Sequence, residues 1–337
     1  MRSNYYKGKE GSSMKKWEKP LIVVSKCLDN CNCRYNGEGC TCKALEELKE
    51  FAELIDICPE EAIGLGTPRN AIRLVGNEKE HFLIDPKTLK DYTKIMSEFA
   101  REICIDIEYL KPQGFILRTK SPSCGINDVK IYRSLEKGSA SVKGKGIFGE
   151  KIYDVFNYLP IEDDGRLKSF KIRENFYIKI FTLVAFKKVY ESKNFGELVN
   201  FHGNNKLLFM VFSQKLTKEM GQLVSNGRYR DKNNIFDKYS FFLNELLSKG
   251  VSYRGYINVF YKILGYFSKE LSKEEKNFFL RKVEEFRRGK IPHRVIMTLI
   301  EAYAIRFNNK YMLNQSLLEP YPYELLSLDD SGKGIER

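Results

Sequence analysis

An α/β parallel-sheet (Rossmann-like) N-terminal domain followed by an all-α C-terminal domain is the fold class that the sequence predicts. Two observations carry it. Short β-branched runs alternate with helical stretches in the first half, and nearly everything beyond residue 174 has helical period. Leu21–Ser25 (LIVVS) reads as a buried strand. Lys43–Leu54 has helical spacing, with apolar residues at 44, 45, 48, 51, 52 and 54. Ile55–Cys58 is a second strand closed by Pro59, Asp85–Tyr109 a long helix, and Gly114–Thr119 a third strand. Strand–helix–strand repetition implies a parallel sheet covered on both faces. Residues 134–150 are rich in Gly, Ser and Lys and read as a flexible loop. Helices are expected over Glu174–Lys193, Asn205–Val224, Asn233–Lys249, Arg254–Leu271, Lys273–Arg288 and Arg294–Asn308, with Gly289 and Pro292 separating the last two. The chain thus divides into a disordered leader (1–19), a first domain (20–158), a linker (159–174), a helical domain (175–328) and a tail (329–337).

Of the 337 residues, 42% are hydrophobic and 30% charged, an ordinary globular composition. No apolar run reaches the ~18 residues of a membrane helix, and the polar start is not a secretory signal. A cytoplasmic protein without membrane contact is expected. In a reducing compartment its eight cysteines point to metal binding or catalysis rather than disulfides. The net charge of +13 is uneven. Residues 1–165 hold 26 basic and 26 acidic residues, while 166–337 hold 31 and 18. A neutral half beside a basic half suggests that the second half meets a polyanion, although a basic solvated helical surface has the same composition.

Cys27 follows the first expected strand, Cys58 ends the second, and Cys124 sits just after the third in Ser-Pro-Ser-Cys-Gly. Ligands of open parallel sheets bind beyond the carboxyl ends of the strands, so these thiols can converge although far apart in sequence. Three thiolates leave one position on a metal or cluster open for chemistry. A lone cysteine after a strand is more often a small buried hydrophobe; three at strand ends argue for a shared site. Zinc competes, but cysteine zinc sites usually use C-x-x-C pairs, and none is present. Cys33 is expected to support the site, with Cys31, Cys40, Cys42 and Cys104 as bystanders.

Four ordered segments, Ser25-Lys-Cys-Leu-Asp-Asn-Cys-Asn-Cys-Arg-Tyr-Asn-Gly37, Ile57-Cys-Pro-Glu60, Gly64-Leu-Gly-Thr-Pro-Arg69 and Ser121-Pro-Ser-Cys-Gly125, resemble the motifs of the thiouracil desulfurase family. The second half, through Phe201-His202, Lys206–Met210, Gly289–Pro292 and Gln315–Leu325, resembles the helical YbgA-type domain often fused to it. The resemblance implies a 4Fe–4S cluster on Cys27, Cys58 and Cys124. It also implies a two-domain enzyme that converts 4-thiouridine in tRNA to uridine. The chain departs from the family at Asp29-Asn30, usually Leu-Gly, and at Asn204-Asn205, usually Arg-His.

Replacing C=S by C=O is a hydrolysis, and a carboxylate beside the cluster would handle the proton of the attacking water. Glu60 is the candidate, Glu61 the alternate, and a helix-capping carboxylate the plain alternative role. Ser121 and Ser123 are candidates to hold the base or the water. Arg34, Tyr35, Thr67 and Arg69 are expected at the pocket rim. Arg228, Arg230, Arg287 and Arg288 are the candidate RNA contacts, and solvated helix ends are their plain reading. Two other functions fit the sequence: a desulfidase of free thiouracil or thionucleotides, and a zinc-bearing, non-catalytic nucleic-acid-binding module.

Overall fold

The computed structural model describes residues 17–227 and 232–327. The first half holds β1 (Leu21–Ser25), α1 (Lys43–Leu48), β2 (Glu53–Ile57), α2 (Pro59–Ala62), β3 (Arg73–Gly76), β4 (His81–Ile84), α3 (Thr93–Leu110), β5 (Gly114–Leu117), β6 (Val129–Tyr132), β7 (Ser141–Gly144), α4 (Ile147–Phe156) and β8 (Ile161–Asp163). Strands β2-β1-β5-β8 form one four-stranded sheet in which every pair is parallel. The expected architecture is present: a parallel α/β sheet, then a helical region. Strand β1 is buried on both faces, and its alternation divides two cores. Ile22 and Val24 point to one side with Ile116, while Val23 points to the other with Phe115 and Leu117.

Several expected elements need correction. Helix α1 stops at Leu48, because Glu53 and Leu54 already pair with β1. Helix α3 begins only at Thr93, and Asp85 instead caps a turn by accepting from the backbone N–H of Lys87. A second sheet, β4-β3-β6-β7, was not expected at all. The stretch 134–150 is no flexible loop. It contains β7 and the start of α4, and its glycines serve close packing: a Cβ on Gly146 would stand 2.5 Å from the Ser123 carbonyl oxygen, and one on Gly149 2.5 Å from that of Cys124. The stretch 159–174, read as a linker, contains edge strand β8, with Leu117 paired to Asp163. Of the leader, residues 1–16 lie outside the described residues, but Trp17 packs edge-on against Phe181 and Glu18 pairs with Lys188. The tail 329–337 also lies outside them.

The helical region comprises α5 (Phe170–Ser192), α6 (Phe195–Phe212), α7 (Gln214–Asn226), α8 (Lys232–Ser248), α9 (Tyr253–Tyr266), α10 (Lys273–Arg287), α11 (His293–Arg306) and α12 (Lys310–Leu313). The single helix expected over Asn205–Val224 is two, broken at Ser213, whose extended backbone and side chain cap α7. Helix α5 is enclosed all round along its middle turns, where Phe176–Val184 are buried apart from half-buried Lys179, while its ends are exposed. Phe176 and Ile180 reach Gly114 of the sheet, and Phe176, Tyr177 and Ile180 share one core with Ile22, Val24, Ile116 and the inner helices. The Tyr177 hydroxyl donates to the Ala44 carbonyl at 3.1 Å. No helix among the described residues is long and apolar enough to cross a membrane.

Two polar groups of the helical half hold its helices together. The Gln315 side-chain amide donates to the Gly203 carbonyl at 2.9 Å and accepts from the Leu207 N–H at 3.2 Å, so it bridges a turn of α6. Buried Glu174 receives Arg294 (3.1 Å), His293 (3.3 Å) and the Tyr321 hydroxyl (3.2 Å) on one oxygen. Burial opposes its charge, but His293 and Arg294 outweigh that and hold its carboxyl below the usual range. Glu174→Ala strands Arg294 in a largely buried place, and the expected loss is about 3–5 kcal/mol. A denaturant melt checks it; a loss under ~1 kcal/mol would make the network dispensable.

Candidate functional site

The register of the parallel sheet builds the site. Ser25 pairs with Ile57, Val24 with Ile116 and Leu117 with Asp163, so the four strands end in one row. The residues just past that row are Cys27, Cys58, Arg118 and Asp164. Cys58 stands at the N-cap of α2, where Pro59 starts the helix. Cys124 returns to the row through a tight loop. The Ser121 hydroxyl accepts from the backbone N–H of Cys124 (3.1 Å) and of Ser123 (3.3 Å), and the Gly125 N–H bonds the Ser121 carbonyl at 2.9 Å. The underside of this loop rests on Gly146 and Gly149 at the start of α4.

Cys27, Cys58 and Cys124 thus line one cavity of about 250 Å³, with Cys33 as a fourth thiol. Burial pushes the Cys27 thiol up to about 12, and neighbouring Cys40 adds to the rise. Burial also raises Cys58 and Cys124. Such thiols stay protonated until a soft metal replaces the proton. Four sulfurs round one cavity are donors suited to an iron–sulfur cluster, so the residues fit such a group.

Glu60 lies in the same wall and is held from two sides. Arg69 donates to one carboxylate oxygen through Nε (2.8 Å) and Nη2 (2.7 Å), and the Ser123 hydroxyl donates to the other at 2.8 Å. The side chains of Glu60 and Arg69 are only 13% and 7% exposed, so the carboxylate faces the cavity from a fixed position. Glu61 is turned to Lys26 at 2.8 Å instead. Ser121, Arg34, Tyr35 and Arg69 line the cavity. Ser123 and Thr67 do not. Ser123 is fully buried behind Glu60, and Thr67 sits between Arg69 and Glu61. Arg287, the last residue of α10, and Arg288, its C-cap, are exposed beside Glu284, away from the cavity lining. Arg228 and Arg230 lie outside the described residues. The sequence reading missed Lys26, Arg118 and Lys120. Arg118 is braced by Asp164, which also accepts the Thr119 N–H at 2.8 Å. Of the expected bystanders, Cys42 and Cys104 are buried in the two cores, and Cys33, expected to support the site, lines the cavity.

Comparison with known proteins bears on this arrangement. A family profile described as 2-thiouracil desulfurase matches residues 22–164. The uncharacterized protein YbbK of Bacillus subtilis (strain 168) is 30% identical over 132 residues, which cover 38% of this chain and 85% of YbbK. The chain belongs to the 2-thiouracil desulfurase family. Its helical half matches, over residues 206–322, a second profile described as a protein of unknown function (DUF1722). The uncharacterized protein YbgA of Escherichia coli (strain K12) is 24% identical over 157 residues, 46% of this chain and 92% of YbgA. Among solved structures, a [4Fe-4S]-dependent thiouracil desulfidase, TudS, is 24% identical with a TM-score of 0.36, covering 44% of this chain and 93% of that one. Every motif that marks the desulfurase family in this sequence contributes at least one residue to the cavity wall.

Proposed function

We propose that the chain is an iron–sulfur-dependent desulfidase that replaces C=S by C=O in a thiolated pyrimidine, 4-thiouridine in tRNA, and releases sulfide. The observation that carries this reading is the meeting of Cys27, Cys58 and Cys124 with a fixed carboxylate, Glu60, in one cavity beyond a parallel sheet. Cys27, Cys58 and Cys124 would hold a 4Fe–4S cluster. When bound, that group supplies a thiophilic iron without a protein ligand, which draws on the sulfur of the substrate.

The rest falls to the chain. Glu60 takes a proton from the attacking water and later returns it. Arg69 and Ser123 keep its two oxygens from turning away, and the Ser121 hydroxyl, at the cavity wall, orients the base. Tyr35, 44% exposed at the rim, offers a ring face to a base drawn out of an RNA stack. Extrusion costs a few kcal/mol, which phosphate contacts from the basic helical half offset. Arg287 and Arg288 are the described candidates for those contacts. A second reading, free thiouracil or a thionucleotide as substrate, is favoured by one fact: every residue that lines the cavity comes from the first half.

Anaerobic incubation with thiolated tRNA, with free 2-thiouracil and with a thionucleotide, followed by nucleoside analysis, separates these readings. Loss of 4-thiouridine from tRNA with release of sulfide is the expected result. A colourless protein with no turnover of any of the three would instead support a zinc-bearing, non-catalytic module. Reversing the charge of Arg287 and Arg288 should weaken tRNA binding and its salt dependence while leaving the cluster spectrum unchanged. Glu60→Gln should keep the cluster and slow desulfuration by about 100-fold or more, the scale of a lost acid–base group. Near-normal turnover with an intact spectrum would take Glu60 out of the mechanism.

A further inference from the structure

One close group combines two cysteines of the cavity wall with a carboxylate just outside its lining. Cys33 Sγ, Cys58 Sγ and a Glu61 carboxylate oxygen all lie within 4.8 Å of one another. Cys33 comes from the loop after β1. Cys58 and Glu61 stand three residues apart at the start of α2, and that spacing places them on one side of the turn. Two sulfurs on one zinc ion stand roughly 3.8 Å apart, as follows from a Zn–S distance of about 2.3 Å and tetrahedral geometry. The group therefore needs only small side-chain adjustments to surround a single ion. Two thiolates and one carboxylate suit a zinc-class ion and leave its fourth position to water.

We propose that the cluster-free chain binds one zinc-class divalent ion on Cys33, Cys58 and Glu61, and that this ion and the iron–sulfur cluster exclude each other because both require Cys58. The exclusion rests on the function proposed above; the ion site does not. Two neighbours hold the Glu61 carboxylate. Lys26 Nζ, 2.8 Å from Glu61, is replaced as its counter-charge by the ion, and the half-exposed lysine turns to solvent. The Thr67 hydroxyl, 3.3 Å from the other Glu61 oxygen, can keep its bond as an outer partner of the ligand. Cys27 and Cys124 take no part in this site, so the two metal centres differ in which cysteines they need. The chain would then carry a choice of metal in the same wall of the cavity. A cell rich in zinc and poor in iron–sulfur assembly would hold it in the zinc form.

The test uses the full chain, freed of metal and reduced, and Co²⁺ as a coloured stand-in for zinc. One equivalent should give a thiolate-to-cobalt absorption that one equivalent of Zn²⁺ removes. Cys33→Ser and Cys58→Ser should each weaken binding by about 100-fold or more, since even outer-sphere losses cost 10–100-fold. Glu61→Gln should weaken it less, and Cys27→Ala and Cys124→Ala should leave it intact. Circular dichroism of each variant shows that the fold survives; Cys33→Ala serves as a second variant should the serine disturb the loop. Full binding without Cys33, or loss of binding without Cys124, overturns the ion site. In a second arm, the zinc-loaded chain should refuse iron–sulfur reconstitution until it is chelated, whereas zinc-treated Cys33→Ala should accept it. Assembly of the cluster with zinc still bound overturns the exclusion. Failure of the zinc-free chain to assemble any cluster would sink the proposed function and leave the ion site standing.

Discussion

A chain ending at Pro160 is expected not to fold. It loses β8, and with it Asp164, which braces Arg118 and the Thr119 backbone at the cavity. It also loses α5, the cover of one face of the parallel sheet. Ile22, Val24 and Ile116 have no exposed surface in the intact protein. Uncovering a large aliphatic side chain costs about 1.5–3 kcal/mol, and a domain is stable by only about 5–15 kcal/mol. These three, with Leu45 and Leu48 of α1, are enough to cancel that margin. Strand β5 would become a bare edge of apolar residues, which invites aggregation. Expression, circular dichroism and a thermal melt of the fragment check this. A soluble fragment with one cooperative melt would show that the sheet face tolerates water. The RNA contacts proposed for the helical half are therefore better probed by charge reversal than by removing it.

Cys27→Ala, Cys58→Ala and Cys124→Ala are each expected to abolish both bound iron and desulfuration. These thiols share one cavity, and in the proposed function all three hold the cluster, while Cys33 groups with Cys58 and Glu61 instead. Cys42→Ala and Cys104→Ala should leave iron content and activity largely intact, because both thiols are packed in apolar cores and act there as small hydrophobes. The expected cost of either is about 1 kcal/mol of stability. Iron analysis and anaerobic absorption spectra of the five variants decide the matter. Iron retained without Cys124 but lost without Cys42 would overturn the ligand assignment.

The central strands were legible because LIVVS and GFIL are apolar runs buried on both faces, a pattern that needs no partner to be read. The second sheet was not, since Arg73–Gly76 and Ser141–Gly144 are four-residue strands with mixed exposure. Strand β8 was hidden by Glu162 and Asp163, which read as linker and pair only because β5 lies beside them. Gly146 and Gly149 carry a composition signal for flexibility, yet their missing side chains admit the backbone of the Cys124 loop. At the site, the cysteines were legible from their place at strand ends. Lys26, Arg118 and Lys120 were not, because no spacing rule says which neighbours of a ligand turn toward a cavity. Ser123 is placed differently from the expectation: its hydroxyl bonds Glu60 and does not line the cavity.

Helix α5 closes the sheet of one half and forms the inner column of the other. The two halves are therefore expected to melt together, and binding at the cavity to be linked by mass action to the stability of helices that never touch it. Heat should produce one transition rather than two. Whatever fills the cavity, cluster or substrate, should raise its midpoint for helical and sheet signals alike. Loss of the proposed cluster in an oxidising environment would then loosen the basic helical surface in the same step, and the proposed RNA contacts would weaken together with the proposed chemistry.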